Sequence, residues 1–343
     1  MRQLGEASRL IDVLLGLSIL RAGRGQFTDA KELAQEAMAY ARRSSDPRVL
    51  GAVHGFLGTG WALTGQLAPA REHIEKAVEL FASLPIAHLG PIAVAQRGAE
   101  GVLGMVLAAL GHPDAARARH GSAVAAARRR SDPFGLSLAL VTSASTQLLL
   151  RNAEEVDTLA EELVPLTHEY GIGVNQRRAI FFRGWAMAVG GRTLEGIGEM
   201  RRALAELVDP QFKPFMNAAF AELCAKNKLV EEGLATVEES LAELQGGADA
   251  ELHRVQGELL LSRVPPDQAR AEHSFREAIQ VARGQAARLY ELRATINLAR
   301  LLHDTDRHDE ARTMLAEIYN WFTEGFDNAD LKDAKALLDE LSS

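Results

Sequence analysis

The densest group of potential metal ligands in the sequence lies between His303 and Asp309, where histidines alternate with aspartates. The segment reads His-Asp-Thr-Asp-Arg-His-Asp, and imidazole and carboxylate groups are the usual protein ligands of zinc and calcium. Its spacing matches no defined zinc or calcium motif, and it falls between two helical stretches, where polar residues are common in any case. We interpret it as a solvated turn and predict no metal site.

Cys224 is the only cysteine, so it cannot form an internal disulfide, and a reducing compartment is the simplest inference. The surrounding residues 220–225 form an apolar pattern typical of a helix packing face. No histidine stands at a spacing from Cys224 that any cysteine-enzyme family uses. We therefore expect a buried, inert thiol.

Other catalytic patterns are also missing from the sequence. A phosphate-binding loop needs a Gly-Lys pair, and the sequence contains none. The acid pairs Glu154-Glu155, Glu161-Glu162 and Glu231-Glu232 are adjacent in sequence, so on a helix their side chains point about 100° apart. These pairs are typical of exposed helix faces. The sequence predicts that the protein is not an enzyme and has no catalytic residue and no cofactor.

The composition indicates a helical protein. Ala, Leu, Glu and Arg, which favour helices, dominate the 343 residues, aromatic residues make up 6%, and runs with strand-like alternation are missing. The formal net charge of −8 disfavours a general role in binding nucleic acid. The longest early apolar stretch, Val13 to Leu20, is too short to span a membrane. We expect a cytoplasmic protein without a membrane segment.

The elements that would position any site recur along the chain as helix, turn, helix and loop. Turn signals such as Gly25, Gly65, Gly111 and Gly191 each separate two helical stretches. Aligning them gives about eight units, each somewhat longer than the roughly 34 residues of a minimal tetratricopeptide repeat. Their first positions lie near residues 11, 51, 97, 138, 177, 214, 250 and 292.

Small residues stand where two helices of each unit would cross. The eighth position of all eight units and the twentieth of seven are Gly, Ala or Ser; only the fourth unit departs, with Asp157 at its twentieth position. Such hairpins bury their apolar stripes only by stacking on neighbours. The pattern predicts an all-α, right-handed α-solenoid of about eight tetratricopeptide-like helical hairpins over residues 1–326. Residues 327–343 are predicted to form a capping helix, with Asp327 or Asn328 as its N-cap.

The C-terminal segment, Glu310 to Leu338, resembles the end of large bacterial signalling proteins, most specifically in Trp321 to Asp327. These proteins join a class III adenylate/guanylate cyclase, or another effector domain, to a STAND-type AAA ATPase and a long MalT-like tetratricopeptide tail. Phe182-Arg-Gly-Trp-Ala and Gln256-Gly-Glu-Leu-Leu-Leu also resemble that tail. The resemblance implies a regulatory or interaction role. The sequence contains neither the cyclase nor the ATPase portion, so no catalytic residue carries over.

First helices of tetratricopeptide units usually line a groove that binds a protein or peptide. Applying the groove positions to repeats five to eight gives a candidate partner-binding surface, which we call the predicted groove: Arg178, Phe181, Trp185, Phe215, Glu222, Arg254, Glu258, Arg293 and Arg300. Trp and Arg often dominate interface energies. Packing of Phe181 and Trp185 between neighbouring repeats is an equally open alternative.

Two functions remain open on the sequence. The first is a non-catalytic interaction or sensor scaffold whose partner is a protein or peptide, with a signalling ATPase or cyclase as one candidate. The second is a domain that binds a small-molecule effector for a transcriptional or signalling regulator. The sequence does not identify the partner, the ligand or the oligomeric state.

Overall fold

The computed structural model describes residues 2–44, 46–85, 87, 90–243 and 246–342, with side chains from residue 9 onward. The described residues form seventeen α-helices and no strand. The helices are α1 Arg2–Ala22, α2 Phe27–Ala41, α3 Pro47–Leu63, α4 Leu67–Phe81, α5 Gly90–Leu110, α6 Pro113–Arg130, α7 Pro133–Leu149, α8 Ala153–Glu169, α9 Gly173–Val189, α10 Thr193–Glu206, α11 Lys213–Lys226, α12 Val230–Glu243, α13 Asp249–Leu261, α14 Gln268–Gln285, α15 Arg288–His303, α16 His308–Tyr319 and α17 Ala329–Glu340.

Local signals in the sequence explain where the helices begin and end. Asp46 and Asp132 precede a proline and cap α3 and α7, accepting hydrogen bonds from the backbone N–H groups of Arg48 (2.9 Å) and Gly135 (3.1 Å). Between paired helices, Gly25, Gly65, Gly111 and Gly191 have φ between 75° and 104°, which glycine adopts most easily. These turns lie where the sequence predicts them.

The first sixteen helices form eight pairs, and small residues fill their crossings. A Cβ on Gly58 would lie 3.0 Å from the Ala70 carbonyl oxygen, and one on Gly184 would lie 2.8 Å from the Gly196 carbonyl oxygen. The backbones approach too closely for larger side chains. The prediction of an all-α helical-repeat solenoid is confirmed.

The fourth pair corrects the alignment by one residue. The fourth residue of every second helix packs against the first helix, and in α8 this residue is Val156, which is fully buried, rather than the exposed Asp157. The polar departure at Asp157 therefore disappears, but Val156 is larger than the Gly or Ala at this position in the other seven pairs. The turn before α8, residues 150–152, is as long as residues 64–66 of the second pair, and Arg151, with φ 57°, stands where Gly65 stands there. The whole fourth unit therefore begins one residue earlier than the alignment placed it.

The solenoid closes on itself, so that its C-terminal repeats contact the turns of repeats two to four. The Gly247 N–H donates to the Leu63 carbonyl at 3.3 Å, and the Asn328 side chain donates to the Leu150 carbonyl at 3.1 Å. The Gly325 N–H also donates to Asp114 at 3.0 Å. One apolar core runs through α6–α17, and a second joins α1–α7 to residues of α13–α15.

The last helix, α17, begins where the sequence predicts a capping helix. Asn328 caps α17, accepting a hydrogen bond from the Asp330 N–H at 2.8 Å, as predicted. Whether residues 1–326 and 327–343 behave as separate units stays a prediction.

Among the described residues, one helix, α5, is long and apolar enough to cross a membrane. Just over half of its most apolar window is buried inside the protein, as in a core helix.

Candidate functional site: the inner face of the solenoid

A network of charged side chains lies on the inner face of the C-terminal half. We call it the inner charge cluster; its members are Arg151, Glu222, Glu251, Arg254, Glu258, Arg293 and Asp330. These residues come from the turn after α7 and from α11, α13, α15 and α17, which the superhelix brings together.

Arg254 lies at the centre of the inner charge cluster and is fully buried. Its guanidinium contacts Glu222 at 2.7 Å, Glu251 at 2.9 Å and Glu258 at 2.8 Å. Removing either sign of charge would leave its partners buried without compensation, which is expensive in a poorly solvated interior. Each charged side chain in the cluster therefore depends on its partners to compensate for its burial.

Arg293 joins the inner charge cluster to the opposite side of the solenoid. It contacts Asp330 at 2.8 Å and also donates a hydrogen bond to the Leu149 carbonyl at the end of α7. Arg151, in the next turn, contacts Glu222 at 3.1 Å and Asp330 at 3.3 Å. These contacts close the superhelix between repeat four and repeats six to eight.

The arginines of this cluster stabilise the ionised forms of its carboxylates. Burial alone would raise the pKa of Glu222, but Arg151 and Arg254 hold it well below its usual value. Burial also opposes ionisation of Asp330, and Arg293 and Arg151 lower its pKa despite this. The carboxylates therefore remain charged.

Arg178, another member of the predicted groove, lies in a separate buried ion pair. Its Nε donates to Asp209 at 2.7 Å, and its Nη1 donates to Asn175 at 2.9 Å. The guanidinium carbon lies 4.1 Å from the centre of the Phe212 ring. Arg178 therefore ties α9 to the loop before α11.

The remaining groove residues have different environments. Phe181 and Trp185 are buried in the core between repeats, whereas Phe215 is partly exposed and borders a cavity. The Arg300 side chain is 52% exposed and pairs loosely with Asp333, at 3.8 Å. The structure thus gathers Glu222, Arg254, Glu258 and Arg293 and leaves Arg300 apart.

An apolar channel runs along the inner face towards the N-terminal half. It comprises two adjoining cavities of about 160 and 200 Å³, which share the lining residues Thr59, Leu63, Val102, Gln211 and Phe212. A smaller cavity of about 110 Å³ lies beside the inner charge cluster, bordered by Trp185 and Phe215. We call the two adjoining cavities the inner channel.

Sequence reasoning did not find the inner channel, nor Arg151, Asp209 and Asp330. Arg151 and Asp330 lie in a turn and in the capping helix, far apart in sequence, and no pattern links them. Asp209 lies in the loop between α10 and α11, and no sequence motif marks it. Closure of the superhelix supplies these contacts, and no local pattern encodes it.

The other groups considered for chemistry lie elsewhere. Cys224 is fully buried, and burial raises the pKa of its thiol to about 12. The rings of His303 and His308 contact each other, Nδ1 to Nδ1, at 2.7 Å in the turn between α15 and α16. In the described part of the chain, no group of three or more His, Cys, Asp or Glu is placed to hold a metal ion.

Comparison with known proteins agrees with this architecture. The model of the anaphase-promoting complex subunit 5 family matches residues 1–57, 102–149 and 285–343, just under half of the chain. No curated protein matches the sequence significantly.

Solved structures resemble the chain at low sequence identity. A Rap protein complexed with competence and sporulation factor superposes with a TM-score of 0.56 and 11% identity, covering 97% of this chain and 99% of that one. A human IFIT1 dimer with m7Gppp-AAAA gives 0.50 and 14%, covering 97% and 75%. Yeast Tom70 gives 0.46 and 15%; this chain spans 59% of its length.

The fold is that of tetratricopeptide-like repeat proteins. Proteins of this kind generally act as scaffolds for protein–protein interaction and are generally not catalysts.

Proposed function

We propose that the protein is a non-catalytic sensor scaffold, whose closed solenoid controls access of a protein partner. The observation that carries this proposal is the closure itself. Arg293 and Arg151 bridge the end of α7 to α11 and α17 through partly or fully buried ion pairs. Breaking a few such contacts would separate surfaces that now face each other, so closure can respond to a bound ligand.

Burial changes how the predicted groove would act. Arg254 is 0% exposed and Arg293 is 5% exposed, so an extended peptide does not reach them while the solenoid is closed. We infer that these residues hold the closed form and that partners meet the surfaces around them. A ligand shifts this equilibrium only as far as it binds one form more tightly than the other.

The narrower context rests on the sequence. The resemblance of residues 310–338 to cyclase- and STAND-linked tails supports a signalling ATPase or cyclase as the partner. The single buried cysteine and the net charge of −8 support a cytoplasmic location without nucleic acid. Purified protein given ATP or GTP with Mg²⁺ should show no turnover; turnover retained through repeated purification would contradict a scaffold role.

The scaffold proposal is tested by opening the solenoid. Arg293→Ala combined with Asp330→Ala removes a buried pair, and Arg300→Ala combined with Asp333→Ala removes an exposed pair on the same two helices. We expect small-angle scattering to show expansion only in the first variant. Binding of a partner purified with the wild-type protein should change at least tenfold in that variant and stay unchanged in the control.

The decisive comparison is partner binding in a variant that has demonstrably expanded. If the Arg293/Asp330 variant expands but binds the partner as the wild type does, closure has no part in partner access. If the exposed-pair control weakens binding as strongly, the effect belongs to the outer surface of α15 and α17.

The inner channel favours a second candidate function, a receptor for a small-molecule effector. Ligand pockets are usually concave, mainly apolar and supplied with a few polar groups. The inner channel has this character, with Gln211 and Asp249 among otherwise mostly apolar residues. A ligand that binds the folded protein should raise its melting temperature in a metabolite screen.

A further inference from the structure

The 160 Å³ cavity of the inner channel has one charged side chain in its wall, Asp249. This residue is the first of α13, and both its carboxylate oxygens lie 3.0 Å from the Gly246 backbone nitrogen. Burial raises the pKa of Asp249, and the Gly246 N–H and His253 offset this only in part. Among the described residues, no basic side chain lines this cavity. A cation placed there would stabilise the carboxylate.

Tyr290 contributes a polar group to the wall of the same cavity. Its side chain is 7% exposed and lines the cavity. The cavity therefore presents a carboxylate and a hydroxyl, both able to accept N–H groups, in apolar surroundings.

The size and lining of the 160 Å³ cavity favour a small molecule over an extended peptide. A cavity of roughly 150 Å³ lined by aliphatic and aromatic groups can hold a benzene molecule, so this one accommodates a body the size of an aromatic ring. An extended peptide would bring an N–H and a C=O with every residue, and Leu63, Val102 and Phe215 offer these groups no partner side chain. A small molecule with one polar end fits better.

We propose that this cavity binds a small organic amine, with its ammonium group paired to Asp249 and its apolar body against Leu63, Met105 and Phe215. A charge-assisted hydrogen bond to a partly buried carboxylate supplies the specificity, and the aromatic side chains of the wall pack against the apolar body. This inference rests on the receptor function proposed above and names its ligand class.

The test uses three probes of similar shape on the full chain: 2-phenylethylamine, neutral 3-phenyl-1-propanol and anionic 3-phenylpropanoate. We expect calorimetric titration at pH 7.5 to show the amine binding at least tenfold more tightly than either other probe, with a matching rise in melting temperature. Asp249→Asn keeps an acceptor oxygen for the Gly246 N–H but removes the charge, so it should weaken amine binding at least tenfold.

Two further variants separate the site from general effects. Asp267→Asn changes another carboxylate near a helix start, which caps α14 by accepting from the Arg270 N–H at 3.2 Å, and should leave amine binding unchanged. Met105→Trp should fill the cavity and abolish binding of every probe, with the helical circular dichroism spectrum retained.

Each contrary result has a definite meaning. Equal binding of the amine to wild type and to Asp249→Asn removes the carboxylate from recognition and overturns the proposal. Equal binding of the neutral alcohol and the amine overturns the ligand class but leaves the receptor function standing. If no probe binds, the amine proposal is overturned, and the scaffold function is judged separately by the solenoid-opening variants.

Discussion

Replacing His120 with phenylalanine tests how the third repeat packs and how acid affects the protein. His120 is 3% exposed and fills the space beside Gly104 at the crossing of α5 and α6. Neither ring nitrogen has a hydrogen-bond partner among the described residues. The equivalent crossing in repeat seven pairs Gly257 with Phe275, so a phenylalanine beside glycine already occurs in this protein.

The magnitude follows from two effects. Leaving a buried polar group without a partner costs about 1–3 kcal/mol, so His120→Phe should be more stable than wild type by about that amount at pH 7.5. Burial also lowers the pKa of His120 from its ordinary 6.5 to about 4. The unfolded chain therefore gains a proton as the pH falls below 6.5, before the folded chain does.

The sign of the pH effect is thus fixed. Above pH 6.5, His120 is neutral in both the folded and the unfolded chain, and the free energy of unfolding has its full value. As the pH falls from 6.5 towards 4, the unfolded chain is protonated first, and the free energy of unfolding decreases. At pH 5 the loss amounts to about 2 kcal/mol for His120 in the wild type. The variant lacks this loss, so the stability difference between variant and wild type should widen by about 2 kcal/mol between pH 7.5 and pH 5.

The assay is guanidinium unfolding of both proteins at the two pH values. His54 also has a pKa lowered to about 4, but it is present in both proteins and cancels in the comparison. Because repeat arrays can unfold in parts, amide hydrogen exchange across α5 and α6 provides the local measurement. His120→Leu is the second variant and should show the same pH response. Equal pH dependence of wild type and both variants would refute the reasoning.

Three further predictions concern the repeats and their buried groups. Gly58→Leu should destabilise the protein by about 1–3 kcal/mol through overpacking at the first crossing of repeat two, and an unchanged thermal melt would contradict this. Arg178→Ala should cost about 3–5 kcal/mol because it leaves a buried carboxylate unpaired, whereas the neighbouring Arg177→Ala, which breaks an exposed pair, should cost less than about 1 kcal/mol in the same denaturant melts. Cys224, buried and with a thiol pKa of about 12, should react with a thiol reagent only when the chain unfolds; rapid labelling of folded protein would be inconsistent with its position.

Much of the fold could be predicted because the signals are local. A glycine turn, an Asp-Pro start and a small residue at each crossing act within about twenty residues, so each hairpin is readable from its own segment. The exception is the fourth repeat, where the predicted register starts one residue too late and puts Asp157 at a crossing. The structure puts Val156 there, and because Arg151 rather than a glycine takes the positive φ of this turn, the sequence did not mark where the turn lies.

The candidate site was predicted only in part. Helix periodicity placed Glu222, Arg254, Glu258 and Arg293 on inner faces, and the structure does bring these four together. Periodicity cannot tell an open groove from a closed one, however. Whether any of these residues binds a partner stays a prediction. Because they are buried, the inner channel is the more accessible candidate for binding a ligand.

The sequence by itself determined the helical hairpins, their stacking and the capping helix, because backbone propensity and close-contact sterics act between neighbours in the chain. Only the tertiary structure decided the curvature that brings α15 and α17 against the end of α7. That curvature is the sum of small rotations between successive repeats, and no single residue encodes it. It buries Arg254 and Arg293 and leaves an apolar channel with Asp249 in its wall.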